Sequence, residues 1–372
     1  MAHLPQQESD SDREDDTATA RAKRRIAALE QELETIRASK RSKPSNSNVH
    51  KGRGIRRLVS LFDSLEDLVA ENDRREDLLQ SLDSQDELVT SREYVQDRTF
   101  SSFNELLRCL PWLKKKLYLD VEELDSILKE LRKGADSARG DDTANLKHAV
   151  VSWLTELFHP LDPPLRTTIK DDRGFVHNTT GMLLCPVEYM WSLSSTKDKI
   201  RDRDSDFLVT AYSWPAFIYK DYSFDSANIE KGLFRSTLLL KAFKHLFTSP
   251  SSAKEIDADG NGADVITASQ RRRSSENDTV NRSHLRFALS NINSWRSVDG
   301  DFDYYDFYNN IVDFFEVVPG ADAQARINEL LKWWNRKVFG KIRTVPLTSA
   351  QLGKFSVARM SSQREAHEGD SP

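Results

Sequence analysis

Apolar residues along this chain recur at helical spacing. The clearest case is the segment FDYYDFYNNIVDFF, residues 302–315. There Tyr304, Phe307, Tyr308, Ile311, Phe314 and Phe315 share one face of a predicted helix, and Asp306, Asn309, Asn310, Asp313 and Glu316 take the rest. Aromatic rings carry large buried areas, so this helix is expected at the centre of the packing. Ile55, Leu58, Val59, Phe62, Leu65 and Val69 predict a helix near the start of the folded part, and Phe100 to Leu110 a second that ends before Pro111. Asp120 and Glu123 have capping-box spacing ahead of Val121, Leu124, Leu128 and Leu131, and Gly134 stands where a helix C′ residue is expected. A further helix is predicted from about Asp142 to Phe158, followed by helices over 228–247, 285–295, 304–317 and 323–339, with Gly340 as the last stop signal.

Between these stripes the pattern weakens. Residues 161–222 are punctuated by Pro163, Pro164, Pro186 and Pro215, which predicts loops, short helices and a small hairpin. Residues 250–283 contain no aromatic residue and no Leu, so a flexible insertion is expected. The fold class read from the chain is mainly α: a single multi-helix domain with an irregular, loop-rich middle, a disordered N-terminal arm and a loose C-terminal tail. Its parts are an arm at 1–54, an N-terminal helical part at 55–133, a core at 134–340 and a tail at 341–372.

Charge adds a block structure. Residues 1–20 hold six acids against Arg13, whereas residues 21–57 hold twelve Lys or Arg against three Glu. Residues 58–99 swing back, with twelve acids against four Arg. Ile26, Leu29, Leu33 and Ile36 form a short a/d seam in the basic block, marginal as a coiled coil. Lys23, Arg24 and Arg25 with Lys40, Arg41 and Lys43 have the form of a bipartite nuclear-localisation signal, and Arg56 and Arg57 extend the same charge as candidate nucleic-acid contacts. Cys109 and Cys185 both lie in apolar stretches and read as free thiols, not as a disulfide framework. A polar, acidic start and the lack of a long apolar run predict an intracellular protein, nuclear or cytoplasmic, without a membrane segment.

Six blocks in order, GADSARGDDT (134–143), DDRGFVHNTTGMLLCP (171–186), WPAFIY (214–219), GLFRSTLLLKAFKHLFTSPSSA (232–253), DFYNNIVDFFE (306–316) and WWNRKVFG (333–340), resemble an uncharacterised domain family expanded in mushroom-forming fungi. The resemblance covers about residues 134–340. That family has no established activity, so the resemblance implies no catalytic residue, cofactor or partner.

Several short motifs imitate chemistry. Asp257 to Gly262 resembles the start of a calcium loop, but Ala268 stands where a bidentate Glu is required. Asn178, Asn277 and Asn281 head glycosylation sequons that matter only in a secreted chain. Arg139, Asp142, Arg173 and His177 are the candidate pocket residues, for which the simpler reading is capping and turn formation. His148, His159, His177, His245 and His284 show no metal-ligand spacing, and no phosphate-cradling glycine loop or serine-hydrolase elbow is present. Trp334 falls on the buried stripe of the last helix, and Trp333 on its edge with Arg336 and Lys337 as a candidate partner contact. The expected function is a non-enzymatic binding or interaction module with a protein partner and no cofactor or metal. One alternative is a nucleic-acid-associated protein, linked to a mobile element, that uses the 21–57 arm. The other is an enzyme of unfamiliar type with its site in 134–222.

Overall fold

The computed structural model describes residues 48–81, 92–254, 274–340 and 348–369. These residues form thirteen α-helices, short 3-10 turns and one two-stranded antiparallel hairpin, so the protein is mainly α. They divide into two compact units, one made of residues up to Ile55 together with Asp63–Ala138, the other of Arg56–Phe62 and the residues from Arg139 on.

The first unit contains α1 (Asn48–Gly52), α3 (Leu65–Ser81), α4 (Arg92–Cys109), a 3-10 turn over Pro111–Lys116, and the start of α5 (Val121–Leu157). Leu65, Leu68, Val69, Phe103, Leu106, Leu113, Leu128 and Leu131 fill its core. Helix α5 starts where expected, but the Asp120 carboxylate accepts from the Glu122 N–H, at 3.2 Å, in place of the Glu123 N–H of a capping box. It does not stop at Gly134. The helix runs on through GADSARGD to Leu157, which corrects the expected break. Gly134 serves a crossing instead, because a Cβ there would lie 1.9 Å from the Val49 carbonyl oxygen, and one on Gly52 would lie 2.1 Å from that of Leu131. Two glycines let the α1 and α5 backbones touch.

The stripe from Ile55 to Val69 is also interrupted. α2 (Ile55–Leu58) ends, and α3 begins at Leu65 behind Ser64, whose Oγ accepts from the Asp67 N–H at 3.0 Å. The Ser64-x-x-Asp67 spacing is the capping signal that the continuous apolar stripe masks. Residues 56–62 leave for the second unit, where Phe62 packs edge-on against Tyr305 and Tyr308.

The second unit holds the rest of α5, then α6 (Asn178–Leu184), α7 (Ser194–Arg201), α8 (Thr237–Phe247), α9 (Ser274–Leu289), the hairpin β1 (Val298–Asp299) and β2 (Phe302–Asp303), α10 (Tyr304–Glu316) and α11 (Ala321–Phe339). The aromatic stripe largely follows its spacing: Tyr304, Phe307, Tyr308, Ile311 and Phe315 are buried, Phe314 is half-buried, and Asp303 caps the helix through the Tyr305 and Asp306 amides. Trp334 is buried as well, with its indole N–H donating to the Phe234 carbonyl at 3.0 Å.

Two boundaries differ from the pattern. α8 begins at Thr237, after the Ser236 cap, so Ile229 is exposed rather than inward. α9 begins at Ser274, so the end of the expected insertion is helical, and Asn281 through Ser290 are all buried. Their polarity hid them: the Asn281 amide donates to the Leu239 carbonyl at 2.9 Å, and the Arg282 guanidinium stacks 3.5 Å from the Phe234 ring centroid. The tail carries α12 (Ser349–Leu352) behind a Thr348 capping box, then α13 (Ser356–Gly369), with Leu352, Phe355, Val357 and Met360 exposed.

Candidate functional site

The four candidate pocket residues are spent on the architecture. Asp142 is buried and takes a bidentate pair from Arg57, with Nε donating to Oδ2 at 2.7 Å and Nη2 to Oδ1. The Arg139 guanidinium sits 5.7 Å from the Trp295 ring centroid. Arg173 is fully buried and donates to the carbonyls of Ala288 (2.9 Å), Lys147 (2.9 Å) and Arg166 (3.1 Å), and burial pushes its pKa down to about 10. His177 caps α6: its Nδ1 accepts from the Thr179 N–H, and its Nε2 lies 2.7 Å from the Pro163 carbonyl oxygen.

Lys170, also fully buried, joins Arg173 at the C-terminus of α9, where its ammonium donates to the Phe287 and Ile292 carbonyls. Helix C-terminal carbonyls attract cations. Burial nonetheless pulls the Lys170 pKa down to about 7, with Arg173 opposing its charge.

The other expected contacts fare unevenly. Arg57 is engaged by Asp142 and Arg56 is buried, so neither is presented as a phosphate contact. Lys23, Arg24, Arg25, Lys40, Arg41 and Lys43, the a/d seam and the calcium-loop imitation lie outside the described residues. Trp333 is half-buried, perpendicular to Trp334 and 5.7 Å from the Arg235 guanidinium, with Arg336 exposed beyond it. Cys185 is a buried free thiol whose pKa burial pushes up to about 12, which leaves it unreactive.

What the sequence pattern missed is a cavity of about 250 Å³ in the second unit. Phe175, Leu184, Ile200, Phe207 and Val209 give it an apolar wall, and Val176 and Leu208, both exposed, stand on its rim. Arg201, Arg203, Arg286, Asn291, Asp299 and Asp301 supply the polar lining.

Each charged residue is placed by an identifiable device. Asp299 ends β1, and Gly300 and Asp301 form the two-residue turn of the β1–β2 hairpin, where Gly300 has φ +62°. Arg286 comes from the buried last turn of α9. Its guanidinium lies 3.2 Å from the Phe302 ring centroid, Nη1 donates to the Tyr304 hydroxyl at 2.9 Å, and the Asp299 carboxylate is 3.7 Å away. The Arg286 Nε is buried with no hydrogen-bond acceptor. Arg201 gives its Nε to the Phe175 carbonyl at 2.9 Å.

Arg203 follows α7 in the left-handed region, at φ +56°. The bonds Asp204 N–H to Lys199 carbonyl (2.9 Å) and Arg203 N–H to Ile200 carbonyl (3.3 Å) make this a Schellman motif, in which the C′ position usually holds Gly. The Gly300-Asp301 dipeptide between Asp299 and Phe302 is the hairpin signal that would have located half of this site.

A second hollow, of about 270 Å³, is lined by Arg326, which pairs with Glu230, by Lys231, which pairs with Asp225, and by Arg235, whose guanidinium lies 5.7 Å from the Trp333 ring centroid. Among the described residues no group of three or more His, Cys, Asp or Glu side chains is arranged to hold a metal ion, and no helix is long and apolar enough to cross a membrane.

Comparison with known proteins places the geometry in a family. Residues 133–339 match the model of a family of unknown function (DUF6698), and the chain belongs to that family. The matched span includes the whole cavity lining. No curated protein and no solved structure matches the chain.

Proposed function

We propose that this member of the family is a binding and interaction module rather than a catalyst, and that it engages its partner at the mouth of the 174–209 and 286–301 cavity. The observation that carries the reading is the combination at that mouth of exposed apolar side chains, Val176 and Leu208, with the guanidiniums of Arg201, Arg203 and Arg286. Exposed apolar residues beside a cavity mark interaction sites more often than isolated ones do. The chemistry of the lining supports binding: its cationic groups are guanidiniums, which stay protonated and hold oxyanions. The Ser290 hydroxyl already donates to the Phe287 carbonyl at 2.9 Å. The test is a photo-crosslinking residue introduced at Val176, at Leu208 or, as a control, at the exposed Ile229. A partner captured from both rim positions and not from 229 supports the reading. No adduct, or the same adducts at all three, overturns it.

The basic arm supports a second reading, nucleic-acid association, because residues 21–57 carry twelve cations against three acids. The structure dictates how to test it. Deleting all of 21–57 would also remove α1, which crosses α5, and Arg57, which holds Asp142. Removing 21–43 alone spares both. Binding of duplex DNA should fall steeply with salt, at a slope of about −0.9 per neutralised phosphate, and should vanish in the truncated chain. Binding that survives the truncation would reject the arm as the contact, and unchanged localisation of a fluorescent fusion would reject the nuclear signal.

A further inference from the structure

We infer that the cavity is an oxyanion site, taking the phosphate or carboxylate group of a small, partly apolar molecule between Arg203 and Arg286. The inference names the ligand chemistry of the surface proposed above and so rests on that reading. Three observations carry it. First, Arg286 is 2% exposed and lines the cavity, and although its guanidinium stacks on Phe302, bonds Tyr304 and faces Asp299, its Nε is a buried donor without an acceptor. Second, among the described residues no carboxylate pairs with the Arg203 side chain, although Arg203 lines the same cavity with its guanidinium beside Gly300. Third, Arg203 occupies a left-handed C′ position where glycine is the unstrained choice. A non-glycine residue held in such a conformation points to use of its side chain.

The two carboxylates on the lining do not reverse the charge. Three guanidiniums line the cavity against Asp299 and Asp301; Arg201 also faces Asp198, outside the lining, from 3.7 Å, and Asp299 faces Arg286 from 3.7 Å rather than in a bidentate pair. A guanidinium fork matches phosphate or carboxylate geometry, so both anions belong to one ligand chemistry. Size restricts the rest of the molecule. About 250 Å³ is below the roughly 300–1,000 Å³ of sites for drug-sized ligands. The Phe175, Ile200 and Phe207 wall suits a single ring or a short aliphatic chain.

The experiment titrates the full-length protein with inorganic phosphate, phenyl phosphate and phenylacetate, reading affinity by calorimetry and stability by thermal melting. The variants are Arg203→Gly, Arg203→Gln and, as a control on the exposed tail, Arg359→Gln. Phenyl phosphate or phenylacetate should bind the wild type and raise its Tm in a concentration-dependent way. Loss of one charge-assisted donor should weaken binding by roughly tenfold or more in both Arg203 variants, and Arg359→Gln should bind like the wild type. Arg203→Gly should at the same time raise the Tm of the unliganded protein, since glycine relieves the left-handed C′ position. A structural role for Arg203 would lower it. The inference is overturned if neither organic anion binds, if the Arg203 variants bind as the wild type does, or if Arg203→Gly lowers the unliganded Tm. Rim crosslinks that persist while no anion binds would leave the interaction reading standing and remove the oxyanion. Anion binding without rim crosslinks would do the reverse.

Discussion

Replacing Gly134 and Gly140 by alanine should have opposite effects, although both glycines lie inside α5. Alanine is favoured over glycine in a helix interior by about 1 kcal/mol, because glycine loses more backbone freedom on folding. At Gly140 that gain is unopposed: an added Cβ meets nothing within 4 Å. Gly140→Ala is therefore expected to stabilise by about 0.5–1 kcal/mol. At Gly134 the added Cβ would sit 1.9 Å from the Val49 carbonyl oxygen, and ordinary contact begins at 3.4 Å. The obstructing atom belongs to the α1 backbone, so no side-chain rotation clears it, and the helices must part by about 1.5 Å, with an overpacking cost of about 1–3 kcal/mol or more. A backbone overlap this large calls for the upper end of that cost, so the penalty exceeds the propensity gain and Gly134→Ala should destabilise by about 2 kcal/mol or more. Hydrogen exchange over residues 121–138 reads the first unit directly, without a two-state melt of the whole chain. Protection should fall there in Gly134→Ala and hold or rise around residue 140 in Gly140→Ala. Stabilisation by both substitutions would refute the crossing.

Three further outcomes follow from the packing. Trp334→Ala should cost about 3–5 kcal/mol, a deletion in a closed core, and Trp333→Ala much less, because Trp333 is only half-buried; equal shifts in chemical denaturation would count against the helix phase. Arg57→Ala should cost about 1–3 kcal/mol by stranding the buried Asp142 carboxylate. That is less than for a fully buried pair because the Arg57 side chain is 35% exposed, and a double-mutant cycle with Asp142→Asn should recover part of the loss. His284 is fully buried with neither ring nitrogen hydrogen-bonded, and burial pushes its pKa down to about 3. The unfolded chain binds this proton below about pH 6.5 and the folded chain only near pH 3. Stability should therefore fall as pH drops through that window, and His284→Leu should show a shallower slope; identical slopes would exclude His284 as a source.

The parts of the fold legible in the sequence are those where one local rule decides. Helix α10 is one: its apolar stripe, its Asp303 cap and its buried face agree. The end of α11 is another, since Gly340 supplies the positive φ that a helix stop requires. The boundaries that were misread are those where a tertiary partner decides. Gly134 obeys the composition of a helix stop, yet it is consumed by a backbone crossing that no periodicity reveals. The Ile55–Val69 stripe is in phase, but Leu58, Val59 and Phe62 serve the second unit, whereas Ile55, Leu65 and Val69 serve the first. Apolar phase alone cannot distinguish these cases.

The candidate site was less legible for a related reason, one that also explains the unusual core of the second unit. Arg139, Asp142, Arg173 and His177 drew attention because they are polar and close in sequence, the pattern shared by active sites and by caps. In three dimensions Arg173, through its Nη1 and Nη2, and Lys170 satisfy carbonyls around the end of α9, while the Arg173 Nε is buried without an acceptor. The informative residue is not the polar one near other polar ones, but the buried polar one left without a partner where there is space beside it. Arg286 meets that description at its Nε, and its neighbour across the cavity, Arg203, holds a backbone position the fold would give to glycine. Neither property is written in residue type or spacing. Both arise when the hairpin turn at Gly300, the end of α7 and the end of α9 converge on one cavity.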